Sequence, residues 1–341
     1  MASVTVNVLG VRSLTKRCKR TRLLVFVFLV VFCIMWSSKT VERGVVGLPY
    51  QPHARQDDAN KEETFTVVIN TFKRRRLLQQ AVAHYSTCPH VAEIRVVWSE
   101  QVTPPSRDDH EAHLYYGAHP ELVQYDSHPT TSIQNRFDVR GLRTSSVFNV
   151  DDDVRIPCSS LARGHAAWKA NRDVLVGFSP RLHRWNPTKL QHEYICHGFF
   201  GDFGFRRGLE FSIILTKAAF CKAEYLQMYV EAVPEQAKSY VDELKNCEDI
   251  AMQILITSVS QKPPVYVQHP MWYYWLAKWR GFGVTGISKN SGHLDVRGRC
   301  ITDLSRMMSD QTNASTVDRT PLIASPLAPW RTGYVDFFFS R

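Results

Sequence analysis

Three stretches decide the fold: Thr64-Phe65-Thr66-Val67-Val68-Ile69-Asn70; then Leu77, Leu78, Ala81, Val82 and Tyr85; then Glu93-Ile94-Arg95-Val96-Val97-Trp98. The first is short, apolar and β-branched and stops at a polar residue, which is the pattern of a buried strand. The second recurs at helical spacing up to about Thr87, with Pro89 beyond it. The third is strand-like again. Strand, helix and strand within about 35 residues make a βαβ unit, and a βαβ unit requires a parallel sheet.

Working outward, a polar loop covers residues 101–119 and a short strand falls near Leu122–Tyr125. A helix is expected over about Asn135–Arg143, then strand Val147–Val150, a helix capped by Ser159 or Ser160 and running to Ala170, and strand Val174–Phe178. Beyond these, Phe211–Thr216 is strand-like and leads into an apolar stretch, and Ala237–Thr257 is helical with an interruption at Lys245-Asn246-Cys247. His269–Phe282 is rich in aromatics (Trp272, Tyr273, Tyr274, Trp275, Trp279), read first as core and second as a ledge for an acceptor. The class is α/β: a Rossmann-like, mostly parallel sheet with flanking helices.

The formal charge of +10 is unevenly placed. Arg12, Lys16, Arg17, Lys19, Arg20 and Arg22 stand before the first acid, Glu42, so the rest of the chain carries about +4. That excess suits an anionic small molecule, and no nucleic-acid-binding motif accompanies it. The basic cluster leads into Leu23–Trp36, an apolar run of roughly 21 Å as a helix. Bulky Ile34-Met35-Trp36 disfavour cleavage, so residues 23–38 read as a signal anchor with residues 1–22 as a cytoplasmic tail, a cleaved signal peptide being the alternative that leads to the same lumen. Residues 39–63 are then a polar stem, 64–308 a lumenal domain, and 309–341 a Pro-containing tail with the sequon Asn313-Ala314-Ser315. This topology, single-pass type II, places the chain in the Golgi or endoplasmic reticulum membrane. Cys88, Cys158, Cys196, Cys221, Cys247 and Cys300 form no CxxC and are disulfide candidates in that compartment.

Chemistry is concentrated at strand exits. Asp151-Asp152-Asp153 follows strand Val147–Val150, and three adjacent carboxylates repel one another unless a divalent cation meets them. An acidic solvated turn is the plain alternative. Asn70-Thr71, Trp98-Ser99 and the triplet all fall at carboxyl ends of strands, where open α/β sheets bind ligands. Lys73-Arg74-Arg75-Arg76 opens a helix whose dipole opposes cations, which favours a ligand there over a solvated helix N-terminus, with Arg74 placed for a phosphate or base. Asn135-Arg136 can reach the same ligand. Glu248 and Asp249 precede an apolar helical run; they serve either as helix-terminal acids or as groups that orient an acceptor hydroxyl or steady developing positive charge. Gly201-Asp202-Phe203-Gly204 lacks the other kinase motifs, His110-Glu111-Ala112-His113 misses zinc spacing, and there is no GxGxxG or P-loop.

In order and spacing, Thr64–Leu78, Ile94–Trp98, Asn135-Arg136, Val150-Asp151-Asp152-Asp153, Val176–Arg181 and Asn246–Met252 resemble the exostosin-like glycosyltransferases, family 64, from about Thr64 to Leu304. The resemblance is to the short, single-domain members, including plant-type ones. It implies a type-A glycosyltransferase fold, a Mn2+-dependent nucleotide-sugar site and retention of anomeric configuration. It places Asp153 on the metal, Asp151 and Asp152 at the donor sugar and ribose, and Arg74 and Asn135 on the nucleotide. It makes Asp249 the acid near the reacting carbon, with Glu248 adjacent, Arg297 a donor-holding group, and Cys247 and Cys300 a disulfide pair. Ser99-Glu100 departs from the family, whose animal members commonly carry Asn there. The implied reaction moves GlcNAc, GalNAc or mannose from a UDP- or GDP-sugar to a glycan or glycolipid. A non-catalytic lumenal binding or assembly subunit of the same fold is the second reading, and a metal-dependent nucleotidyl- or phosphotransferase the third.

Overall fold

The computed structural model describes residues 63–196, 211–268 and 292–310. The expected anchor and stem, the aromatic stretch from His269 and the tail with its sequon lie outside the described residues. Among the described residues no helix is long and apolar enough to cross a membrane.

The βαβ unit forms as read. Strand β1 (Phe65–Thr71), helix α1 (Arg75–Tyr85) and β2 (Val91–Trp98) are followed by the short α2 (Ala112–Tyr116), β3 (Val123–Ser127) and β4 (Ser146–Asp151). Strands β4, β1, β2 and β3 lie side by side and parallel. Helix α3 (Cys158–Ala170) and the two-residue β5 (Val176–Gly177) come next, then β6 (Pro180–Asn186), β7 (Gln191–Ile195), β8 (Ile213–Ile214) and β9 (Ala218–Lys222). Strand β9 inserts antiparallel between β4 and β5, and β10 (Val265–Tyr266) completes a seven-stranded sheet in the order β10-β5-β9-β4-β1-β2-β3. Strands β7, β6 and β8 form a separate three-stranded sheet. Helices α4 (Ala223–Ala232), α5 (Glu235–Leu244), α6 (Glu248–Ser260) and α7 (His293–Asp310) follow in chain order. The protein is therefore a mixed α/β fold with a large, parallel-dominated sheet.

Successive residues of the central strands enter opposite cores, as strand periodicity requires. Val67, Ile69, Phe148 and Val150 pack with Leu78, Val82 and Tyr85 of α1 and Leu161 and Trp168 of α3. Val68, Val97 and Val147 pack with Tyr225, Leu226 and Tyr229 of α4 and Ile250, Ile254 and Ile256 of α6.

Four expectations need correction. The helix over Asn135–Arg143 is absent: a 3-10 turn covers Ile133–Phe137, and Gly141 at φ 66 holds the chain out of helical geometry. Neither Ser159 nor Ser160 caps α3, which starts at Cys158 after Pro157, a residue that pre-sets the entry angle. Strand Val174–Phe178 shrinks to Val176–Gly177. Of Phe211–Thr216, Ile213–Ile214 form the strand that joins β6 of the small sheet. The break in Ala237–Thr257 is real, with Lys245 at φ 48 and Cys247 at φ 78 between α5 and α6.

Candidate active site

The carboxyl ends of β1, β2 and β4 meet at one rim, where Asn70 is in register with Asp151 and Thr71 with Trp98. Asp151 ends β4, and the next two acids turn away from the sheet. Asp152 turns inward: its side chain is buried, accepts from Thr71 Oγ1 at 2.7 Å and Arg74 Nε at 3.1 Å, and pairs with Arg74 Nη2 at 2.5 Å. Asp153 accepts from Arg74 Nη1 at 3.1 Å. One guanidinium thus grips two successive acids, resolving the conflict of cations at the start of α1. Burial pushes the Asp152 carboxyl up to about 6, against the pull of Arg74 and Thr71.

Asp153 and Asp151 keep 14% and 25% of their side-chain surface exposed. Two part-exposed carboxylates on one turn suit a hard divalent cation, which takes one or two protein carboxylates and completes its shell with substrate phosphate and water. Among the described residues the three-ligand grouping of His84, Cys88 and Cys158 is no competitor. Its sulfurs are bonded to each other, and the disulfide ties the end of α1 to the start of α3.

Asp151 is joined to the opposite wall by Arg136. This buried guanidinium pairs through Nη1 with Asp151 Oδ1 at 3.0 Å and Glu248 Oε1 at 3.2 Å, and donates from Nη2 to the Thr216 carbonyl at 3.1 Å. Burial, followed by the charge of Asp249, pushes Glu248 up to about 7, while Arg136 and Arg297 oppose the shift. Asp249, the next residue in the first turn of α6, accepts from Arg297 Nη2 on both oxygens at 2.6 and 2.7 Å. Arg297 also donates to Asn246 Oδ1 at 2.9 Å and stacks on Tyr194 with its guanidinium carbon 4.6 Å from the ring centre. The disulfide Cys247–Cys300 links the segments carrying these two residues. Neither this bridge nor Cys88–Cys158 involves Cys196 or Cys221.

The result is three ion-paired groups brought together by adjacent residues of the chain: Arg74 with Asp152 and Asp153, Arg136 with Asp151 and Glu248, and Arg297 with Asp249. They contain five carboxylates (Asp151, Asp152, Asp153, Glu248, Asp249) and three guanidiniums (Arg74, Arg136, Arg297). Among them the formal excess is two negative charges, which one divalent cation neutralises.

Asn135 is placed differently from its neighbour. Its amide donates to Ser99 Oγ at 3.0 Å and the Thr130 carbonyl at 2.8 Å and accepts from Thr130 Oγ1 at 3.2 Å, so it ties loops together beside the rim. Sequence reasoning missed His293, the first residue of α7. Asn246 Oδ1 is committed to Arg297 and the Cys247 N–H, so its Nδ2 faces His293 Nδ1 at 3.4 Å. Nδ1 must then carry the lone pair, leaving a neutral ring with its proton on Nε2. Burial and the charge of Arg297 lower the His293 pKa, in keeping with that neutral form. The spacing His293-x-x-x-Arg297, one helical turn, was the available signal.

A model of the glycosyl transferase family 64 domain matches residues 65–318, which takes in every member of these ion-paired groups. The chain belongs to glycosyltransferase family 64. Glycosylinositol phosphorylceramide mannosyl transferase 1 of Arabidopsis thaliana is 32% identical over 253 residues, covering 70% of each chain. Exostosin-like 2 of Mus musculus is 28% identical over 244 residues, covering 71% of this chain and 72% of its own. Glucosamine inositolphosphorylceramide transferase 1 of Oryza sativa subsp. indica is 29% identical over 250 residues, which are 70% of this chain and 30% of that one. This family 64 chain is a glycosyltransferase, and its acids and guanidiniums belong to the domain that defines the family.

Proposed function

We propose that the protein is a retaining, Mn2+-dependent transferase of the type-A fold. It moves a hexose or hexosamine (GlcNAc, GalNAc or mannose) from a UDP- or GDP-sugar to a glycan or glycolipid. The observation that carries this reading is the Arg136 bridge, which pairs Asp151 of the acidic turn with Glu248, the sequence neighbour of Asp249 in the Asp249–Arg297 pair. In the proposed site Asp153, with Asp151 behind it, would hold the cation, which supplies charge neutralisation for the departing diphosphate. Arg74 adds a fixed positive charge beside that diphosphate. Asp249, anchored by both its oxygens, presents its carboxylate to the sugar carbon, where positive charge develops as the glycosidic bond breaks. Arg136 and the Cys247–Cys300 bridge keep the two halves in register, so little reorganisation is required at the moment of reaction.

Two relatives carry inositolphosphorylceramide in their names, which supports a glycolipid acceptor over a protein-borne glycan. The reading of residues 23–38 as a type II anchor in the Golgi or endoplasmic reticulum belongs to the same proposal. Its support is the pair of disulfides, Cys88–Cys158 and Cys247–Cys300, which suit an oxidising lumen. The test is to incubate the full chain with Mn2+ and a panel of UDP- and GDP-sugars and to follow nucleotide release with and without EDTA. Metal-dependent release from one donor is expected. Silence across the panel with nucleotide binding intact would point to a missing acceptor or partner, and silence with no nucleotide binding would favour the non-catalytic subunit instead.

A further inference from the structure

The departure Ser99-Glu100 just past β2 does something other than meet a ligand directly. Glu100 Oε1 accepts the backbone N–H of Lys73 at 2.6 Å and the Arg75 Nη1 at 2.6 Å, and its Oε2 accepts Arg75 Nη2 at 2.9 Å. Only 4% of the Glu100 side chain is exposed. The Arg75 guanidinium lies over the Trp98 ring, 4.2 Å from its centre, and that ring is fixed by donating Nε1–H to the Val102 carbonyl at 2.6 Å and by an edge contact with Tyr125. Lys73 stands in the left-handed region at φ 57, a conformation a lysine does not choose unaided. The bond from its N–H to Glu100 is therefore part of what holds the turn.

Between the two clamped residues sits Arg74, whose side chain reaches the other way, onto Asp152 and Asp153. Helix α1 has no acid in its first turn and no side-chain cap, so the turn gets no local support. Its order comes from Glu100 on one side and the acidic turn on the other.

We propose that Glu100 is a positioning residue: by clamping Lys73 and Arg75 to Trp98, it sets the register of Arg74 on the acidic turn and preforms the diphosphate end of the donor site. This rests on the donor-site reading above and deepens it. Glu100 touches neither donor nor cation in this arrangement; it acts through Arg74. The Arg75 hydrogen bonds hold its carboxyl below the usual carboxylate range, so it is an anion at neutral pH.

The test is a double-mutant cycle on the full chain, read as Mn2+-dependent affinity for UDP and for GDP, with melting temperature recorded alongside. Arg74→Ala weakens the preferred nucleotide about tenfold or more, and Glu100→Ala weakens it about tenfold. Glu100→Gln, which keeps an oxygen for the Lys73 N–H, recovers part of the loss. The double variant Arg74→Ala/Glu100→Ala binds within about twofold of Arg74→Ala alone, because Glu100 has nothing left to position. A Glu100→Ala protein that melts lower yet binds within twofold of the wild type would overturn the proposal. So would losses that multiply in the double variant. Wild-type protein that binds neither nucleotide with Mn2+ overturns the donor-site reading itself and this proposal with it, a result distinct from failure of the cycle.

Discussion

Glu248→Gln should stabilise the protein in a pH-dependent way. Glu248 is buried beside Asp249, and its carboxyl titrates near 7 in the fold against an ordinary value of 4.5. A carboxyl with a raised folded pKa gives full stability below its unfolded pKa and loses it as pH rises through the folded one. Across that window the native state forfeits roughly 3 kcal/mol at this residue. Gln keeps an oxygen for Arg136 Nη1 and stands in for the protonated carboxyl, and the pull of Arg136 on the ionised form is already contained in the net shift. The variant should therefore exceed the wild type by about 3 kcal/mol at pH 8 and match it within about 1 kcal/mol at pH 5. The Asp152 shift runs in the same direction between 3.8 and about 6 but is present in both proteins and cancels. Urea unfolding at the two pH values measures the difference. A gap that stays constant with pH, or a Gln variant less stable at pH 8, would refute the burial of a titrating acid here.

Asp249→Asn is expected to spare Mn2+-dependent UDP binding while lowering turnover roughly 100-fold, as for loss of one preorganised electrostatic group; full turnover would leave Asp249 a helix-terminal acid. Cys300→Ser, which opens a bridge spanning 53 residues, should cost about 3–4 kcal/mol of stability in denaturant melts. Gly177→Ala places a Cβ 2.6 Å from the Ala218 carbonyl oxygen and 2.6 Å from Ile214 Cγ2. Since the carbonyl is backbone and cannot swing away, a loss of about 1–3 kcal/mol should appear in the same melts.

The parallel half of the sheet was legible because its strands are buried on both faces and read as continuous β-branched runs between turn signals. Asp151–Asp153 and Thr71 were placed on one rim by topology alone. What escaped was set by distance in the chain. Strand β9 carries Ala218-Ala219-Phe220-Cys221, an apolar run with no alternation, and its pairing with β4 and β5 makes it a strand. The hairpin of β6 and β7 is rich in His, Arg and Glu, so nothing local marks it. Asn135–Arg143 looked helical, but Arg136 is taken up by acids at positions 151 and 248 and Gly141 turns the chain. The helix-terminal and catalytic readings of Asp249 describe one position: it stands in the first turn of α6 and also meets a guanidinium 48 residues away. Arg74 was picked out by its conflict with the helix dipole, whereas the acid that clamps its neighbours, Glu100, gave no local sign.

The most direct measurement is thermal stabilisation of the full chain by Mn2+ and UDP, alone and together, in the wild type and in Asp153→Asn. The two ligands together should stabilise the wild type by about 2.7 kcal/mol at 100 times Kd, more than either alone. Asp153→Asn should show no metal-dependent gain. An Asp153→Asn protein stabilised by Mn2+ and UDP as strongly as the wild type would contradict the assignment of the acidic turn as the cation and donor site.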